Sequence, residues 1–395
     1  MSNDLPGHIP TAPQRGFSVY DLLSYFELVV KLPLTLMRWS YRQMVHHSFV
    51  EGLYPSPQDT VPGPVIHDTD NSSINSLPDP SKWPGTPTTP VNCQRHPAGE
   101  PQCNSAPDLT SQIVRQKIYP TLSGTYSDVW LSTWSHDNEK RDVAVKSLKI
   151  PFSNEDEKSN NRQKLMGKIS SWAQLLHTNV LPLYGIAYDF GHFPSLVTPW
   201  VNNGSLNDYI ANHRLSLTTK LDLAKQVVAG LGYLHAHSIV HGDISGLNIL
   251  VDDEGRAQLC DFGFMSLLAE IPSLPQPSGG VRSAVRWTDP QLFDVQKGEI
   301  NPCIPTEQTD IYSIGSVLLQ LLTGSIPYYD VKDNIRVLVL SSRGVKPKCP
   351  PETNITSAQW SFIQRCWSPP GLASRPTIEE MEECIESELR MADMG

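Results

Sequence analysis

Apolar and polar residues alternate differently along three parts of this chain. Between residues 17 and 50, Leu22, Leu23, Phe26, Val29 and Val30 recur at helical spacing until Pro33 interrupts them, which predicts an amphipathic helix pair. Glu27, Lys31 and Pro33 keep this run short of the roughly 20 clean apolar residues a bilayer span requires. From about residue 111 the pattern changes: Val129-Trp-Leu and Val143-Ala-Val-Lys read as strands, and a polar-to-apolar segment over 156–176 reads as a helix. Beyond Asn207, the stretches TKLDLAKQVVAGLGYLHAHS, DIYSIGSVLLQLLTG and SAQWSFIQRCW carry the longer helical period. This order predicts an α+β chain in which a small β-rich lobe precedes a larger helical one. No repeat of 20–50 residues is visible.

Between the first two parts, twelve prolines fall from Pro55 to Pro107 among Ser, Thr, Asn and Asp. Such a stretch cannot bury enough apolar surface to offset the entropy of ordering it, so residues 54–110 are expected to be a disordered linker. The resulting division is a helical segment over 1–53, the linker over 54–110, and a folded domain over 111–390. The 17–50 segment is expected to dock on its own domain or on another copy, with a membrane-surface contact through Arg38 and Arg42, or disorder, as the other options.

Composition narrows the function. The chain has 395 residues, 39% of them apolar and 18% charged, enough for one catalytic-size domain with an appendage. A formal charge of -10 gives no global attraction to nucleic-acid phosphates or anionic lipid, so no nucleic-acid partner is expected. The seven cysteines are odd in number and scattered, and no signal-peptide pattern opens the chain, which fits a reducing intracellular, cytoplasmic setting. Cys93 and Cys103 with His96 between them lack paired CxxC spacing and are taken as loop thiols rather than a metal cluster.

The chemistry concentrates in His241-Gly-Asp-Ile-Ser-Gly-Leu-Asn248, followed thirteen residues later by Asp261-Phe-Gly263. One carboxylate to orient a hydroxyl, with an amide and a second carboxylate to hold Mg²⁺ against nucleotide phosphates, is what phosphoryl transfer requires. Together the two motifs resemble the catalytic loop and DFG turn of protein kinases. The resemblance extends over about 111–390. Val143-Ala144-Val145-Lys146 resembles the lysine strand, alternation placing Ala144 and Lys146 on one face. It also implies a hinge at Thr198-Pro-Trp-Val201, with Thr198 as gatekeeper and Val201 facing adenine, Leu250 closing the adenine slot from below, and Gly124 and Val129 in the phosphate-covering loop. Asp310-Ile-Tyr-Ser-Ile-Gly resembles the helix whose Asp braces the catalytic loop. Cys366-Trp367, Arg375-Pro376, Trp172-x4-His177-x-Asn179 and Val285-Arg-Trp point to the tyrosine-kinase-like group. The implied fold is two-lobed, and the implied cofactors are ATP and Mg²⁺. The implied partner is a protein substrate or signalling protein.

Departures from the family pattern are as informative. Leu122-Ser-Gly124-Thr-Tyr-Ser127-Asp-Val keeps one of three loop glycines, weakening close backbone approach to phosphates. The glutamate expected to pair with Lys146 is Lys168, and no Asp or Glu occurs from Lys158 through Tyr188. A second cation is thus expected opposite Lys146, unless Glu155 or Glu157 reaches the site. The catalytic-loop lysine is Ser245, the arginine of tyrosine kinases is Leu247, the arginine before Asp243 is Gly242, and the threonine of serine/threonine kinases is Ala284. Gln291 stands where a glutamate would pair with Arg375. Two functions follow: a protein kinase with weakened activity, in which Lys146, Asp243, Asn248 and Asp261 act, or a pseudokinase serving as a nucleotide-binding scaffold or switch. The group resemblance favours serine/threonine acceptors.

Overall fold

The computed structural model describes residues 106–124, 126–137, 139–271, 284–293, 304–369 and 375–393. The expected helical segment over 1–53, the expected linker through residue 105, and Cys93, His96 and Cys103 lie outside the described residues.

Eight strands and eight α-helices build two lobes among the described residues. In the first lobe, β1 (Ile113–Arg115), β2 (Leu122–Ser123), β3 (Ser127–His136), β4 (Glu139–Leu148), β5 (Gly185–Ala187) and β6 (Ser195–Pro199) form an antiparallel sheet in the order β1-β3-β4-β6-β5. β2 pairs with the same strand, β3, as β1 does. Alternation gives the sheet two faces. Trp134, Val143, Val145 and Val197 pack on one face with Leu109 and Ala187, and Tyr184 and Phe190 lie against them. On the other face, Val129 stands opposite Lys146, Ala144 opposite Thr198, and Lys146 opposite Leu196. That face looks onto the helical lobe.

Residues 106–110, within the span expected as linker from proline content, are packed on the domain. Ala106 and Leu109 are buried, and Asp108 bridges in parallel to Ile186. The amide of Ile186 donates to the Pro107 carbonyl and the amide of Leu109 to the Ile186 carbonyl, so the last linker residues cover the open edge of β5. Gly185 permits this approach, because a Cβ there would sit 2.5 Å from the Pro107 oxygen.

Helix α1 (Glu155–Trp172) follows the sheet and is shorter than the 156–176 segment predicted. Asn154 caps its N-terminus by accepting from the Glu157 amide, and Glu155, Asp156 and Glu157 complement the dipole there. Leu165, Ile169 and Trp172 form its buried stripe. The helical lobe contains α2 (Leu206–Asn212), α3 (Leu217–Ala236), the hairpin β7 (Ile249–Val251) and β8 (Ala257–Leu259), α4 (Phe264–Ala269), α5 (Glu307–Thr323), α6 (Asn334–Ser342), α7 (Ser357–Cys366) and α8 (Ile378–Asp393). Helix α5 is buried on all sides from Thr309 to Leu321 and packs against α3 and α7, while α8 covers α3. The three long helical patterns seen in the sequence are thus α3, α5 and α7. No described helix is long and apolar enough to cross a membrane.

Candidate active site

Asn248 and Asp261 are separated by thirteen residues because the β7–β8 hairpin lies between them. Ile249 stands opposite Leu259, and the Cys260 amide donates to the Asn248 carbonyl (3.0 Å), which brings the two motifs side by side. Helix α5 braces the loop from below: Asp310, almost fully buried, accepts from the amides of His241 and Gly242, both at 2.8 Å, and from His235 Nε2 at 2.9 Å. The Gly263 amide donates to the His241 carbonyl, fastening the second motif to the first. Burial lowers the pKa of His241 and keeps its imidazole neutral against the pull of Asp310 and Asp261.

Within this unit, Asn248 Nδ2 donates to the Asp243 carbonyl (2.8 Å) and to Asp243 Oδ2 (2.9 Å). Lys146 reaches down from β4 and forms an ion pair with Asp261. Burial opposes the charge on Lys146, yet Asp261, with smaller contributions from Cys260 and Asp243, holds the ammonium above the ordinary lysine range. Burial pushes the Cys260 thiol well up, and Asp261 adds to that shift.

Between the lobes lies a cavity of about 520 Å³. Val129, Ala144, Lys146, Leu196 and Thr198 line it from the sheet, Val201 from the connection between lobes, and Leu247, Leu250, Cys260 and Asp261 from below. Phe264, the first residue of α4, also lines it and lies 5.9 Å from Lys146 Nζ, measured to the ring centre. Gly124, Asp243 and Asn248 do not line this cavity. Gly124 sits in the turn between β2 and β3, where its carbonyl accepts from Lys149 Nζ (3.0 Å), and Lys149 also pairs with Asp128 at 2.7 Å.

The structure corrects two expectations about charge. Lys168 does not stand unpaired against Lys146: its Nζ lies 3.5 Å from Glu270 Oε1, just beyond α4. Glu155 and Glu157 are occupied at the start of α1, Glu155 with Lys158 (3.3 Å) and Glu157 with the Ser153 amide (2.7 Å). Gln291 does not leave Arg375 without a carboxylate either. Asp289, two residues earlier, pairs with Arg375 at 2.6 Å, and Gln291 Nε2 donates to the same Asp289 oxygen at 3.1 Å. The other losses stand. Ser245 is fully buried with its Oγ accepting from the Leu247 amide, and Ala284 has only a methyl group where a hydroxyl is expected.

The sequence matches the family described as protein tyrosine and serine/threonine kinase over residues 120–385. This chain belongs to the protein kinase family. It is 24% identical over 292 residues to the serine/threonine/tyrosine-protein kinase HT1 of Arabidopsis thaliana, covering 71% of this chain and 69% of that one. It is 27% identical over 267 residues to the tyrosine-protein kinase SRK3 of Spongilla lacustris, covering 67% of this chain and 73% of that one. A probable serine/threonine-protein kinase of Dictyostelium discoideum is 28% identical over 278 residues, 69% of this chain but 28% of that protein. The chain resembles the tyrosine-kinase-like group, as its late helical motifs indicate.

Sequence reasoning missed Glu270, Asp289 and Lys149. The i, i+4 pair Lys164 and Lys168 marks one basic face of α1 and was a legible signal that an anion packs there. Nothing nearby in sequence identifies that anion.

Proposed function

We propose that this kinase-family chain transfers the γ-phosphoryl group of Mg-ATP to a serine or threonine hydroxyl of a protein, at a reduced rate. The observation that carries this is the Asn248 to Asp243 hydrogen bond (2.9 Å), made on the same braced loop and hairpin that present Asp261. With its Nδ2 on Asp243, the Asn248 amide turns its oxygen elsewhere, and that oxygen with the Asp261 carboxylate makes a hard donor pair suited to Mg²⁺. A site of this kind is completed by phosphate oxygens and water. Bound Mg-ATP supplies the transferable group and neutralises the charge that develops on it.

Each side chain then has a role. Ala144, Thr198, Val201 and Leu250 enclose adenine, and Gly124 and Val129 lie toward the phosphates. Lys146 holds the α/β-phosphates once it leaves Asp261, and Asp243 orients the acceptor hydroxyl and receives its proton. The missing contacts at Ser245, Ala284 and Lys168 slow the chemistry. If each withholds about 1.4 kcal/mol, three lower the rate roughly a thousandfold. The described cysteines Cys260, Cys349, Cys366 and Cys384 are free thiols, which supports a reducing compartment, and we place the protein in the cytoplasm.

A second function, a pseudokinase acting as a nucleotide-binding scaffold, is favoured by the Lys146–Asp261 pair, which neutralises both groups internally. Single-turnover γ-phosphate transfer from Mg-ATP, with Asp243→Ala as blank, separates the two. Transfer above the blank supports the kinase. Nucleotide binding with transfer no faster than the blank overturns it in favour of the scaffold.

A further inference from the structure

The β2–β3 hairpin keeps Gly124 as one of its three expected glycines, and a lysine from the end of β4 ties it down. Leu122 pairs with Val129 and Ser123 with Asp128, and Leu122 and Val129 line the cavity. Alternation turns Ser123 and Asp128 to the opposite face. There Lys149 Nζ lies 2.7 Å from Asp128 Oδ1 and donates to Ser123 Oγ (3.1 Å) and to the Gly124 carbonyl (3.0 Å). Ser123 Oγ donates to the same Asp128 oxygen at 2.5 Å. The Lys149 amide donates to the Tyr126 carbonyl at 2.8 Å, so backbone and side chain of one residue hold both sides of the turn. Burial pushes the Asp128 carboxyl up, but hydrogen bonds from Lys149 and Ser123 and the charge of Lys149 hold it below the ordinary carboxylate range.

We propose that Lys149 is a positioning residue for the nucleotide phosphates, holding the β2–β3 hairpin over the cleft and cancelling the charge of Asp128. This rests on the nucleotide binding in the function proposed above and deepens it. Glycines let a loop backbone close on phosphates, and a hairpin that has lost two of three must have its position set in another way. The lysine sets it from the outer face, where it joins β2, β3 and the end of β4. Charge is the second reason. Without Lys149, an unpaired Asp128 carboxylate on this hairpin would repel a polyphosphate beneath it. The Gly124 carbonyl, engaged by Lys149, is likewise not presented to phosphate oxygens. The side chains of the pair are 40% and 22% exposed, so the effect on affinity is a few-fold rather than orders of magnitude.

The test uses the full chain with Lys149→Met, which keeps the apolar stem and removes the charge, with Lys149→Arg, and with Lys149→Met combined with Asp128→Asn. Affinities for a Mg-bound non-hydrolysable ATP analogue and for adenosine are measured, together with hydrogen exchange of residues 121–131 in the nucleotide-free chain. Lys149→Met is expected to weaken analogue binding about three- to fivefold, to leave adenosine binding unchanged and to raise exchange. Lys149→Arg should bind the analogue as wild type does. Adding Asp128→Asn to Lys149→Met should recover part of the lost affinity while exchange stays high, because the uncancelled charge is gone but the hairpin is still untied. The proposal is overturned if Lys149→Met weakens analogue and adenosine equally, if it changes neither analogue affinity nor exchange, or if Lys149→Arg is as weak as Lys149→Met. A wild-type chain that binds neither ligand overturns the function proposed above as well, a result distinct from binding with an unchanged ratio of the two affinities.

Discussion

Arg375 Nη1 lies 2.6 Å from Asp289 Oδ2, and both side chains are almost fully buried, 2% and 3% exposed. The same guanidinium donates to the carbonyls of Gln308 (2.6 Å) and Ser368 (2.8 Å), so one residue ties the segment after Ala284 to the start of α5 and the end of α7. A buried charge deprived of its partner is far more costly than a surface one. Asp289→Ala should destabilise the domain by about 3–5 kcal/mol in urea unfolding. Gln291→Ala should cost less than about 1.5 kcal/mol, as expected for one neutral hydrogen bond. Adding Gln291→Glu to Asp289→Ala should recover part of the loss, because a carboxylate then returns two residues away. Equal costs for the two single variants would show that Asp289 is not the anchor.

Gly246 occupies the middle of the loop that carries Asp243, and a Cβ there would lie 2.1 Å from Asn207 Oδ1 and 2.7 Å from Gln320 Oε1. Those atoms belong to a buried chain of hydrogen bonds: Trp287 Nε1 donates to Gln320 Oε1 (3.0 Å), and Gln320 Nε2 donates to Asn207 Oδ1 (2.6 Å). Gly246→Ala must displace this chain, at a cost of about 1–3 kcal/mol. In the Asn207→Ala background the added methyl group should cost less. Thermal melting of the two singles and the double measures the difference, and strict additivity would place the strain elsewhere.

The contribution of residues 106–110 to the folded domain can be tested by truncation. A chain beginning at Ser111 loses buried Ala106 and Leu109 and uncovers the edge of β5, whereas one beginning at Ala106 keeps them. We expect the shorter chain to be less stable by roughly 2–3 kcal/mol from lost apolar burial alone. Indistinguishable denaturation midpoints would restore the boundary read from proline content.

Acid stability should depend on His241. Burial lowers its folded-state pKa, so below the unfolded value near 6.5 the unfolded chain binds a proton that the folded chain refuses. Stability is therefore full above about pH 6.5 and falls as pH drops toward the folded pKa, by up to about 1.4 kcal/mol per pH unit for this group. His177, also lowered by burial, acts in the same direction. His241→Asn should reduce the slope between pH 6.5 and 5, measured by urea unfolding at each pH. An unchanged slope would mean that other groups govern the acid limb.

Sequence by itself determined the two lobes, the order of their principal strands and helices, and the family. Those rest on local periodicity and on motifs whose members lie close in the chain: Asn248 and Asp261 meet through a hairpin that their spacing already implies. It also identified Lys146, Ala144, Thr198, Val201 and Leu250 as one surface, because strand alternation and the family pattern agree there, and all five line the cleft. Only the tertiary structure decided which charges meet. Asp289 finds Arg375 across 86 positions and Lys146 finds Asp261 across 115. Comparison with a family pattern assigns an ion-pair partner by its place in the alignment. A cationic side chain pairs with any carboxylate the fold brings within reach, and here packing brought Asp289 to the buried Arg375 and Glu270 to the partly exposed Lys168. The same holds for residues 106–110: their composition reads as linker, but the uncovered amide and carbonyl of Ile186 on β5 and the space above Gly185 give them a place to pair.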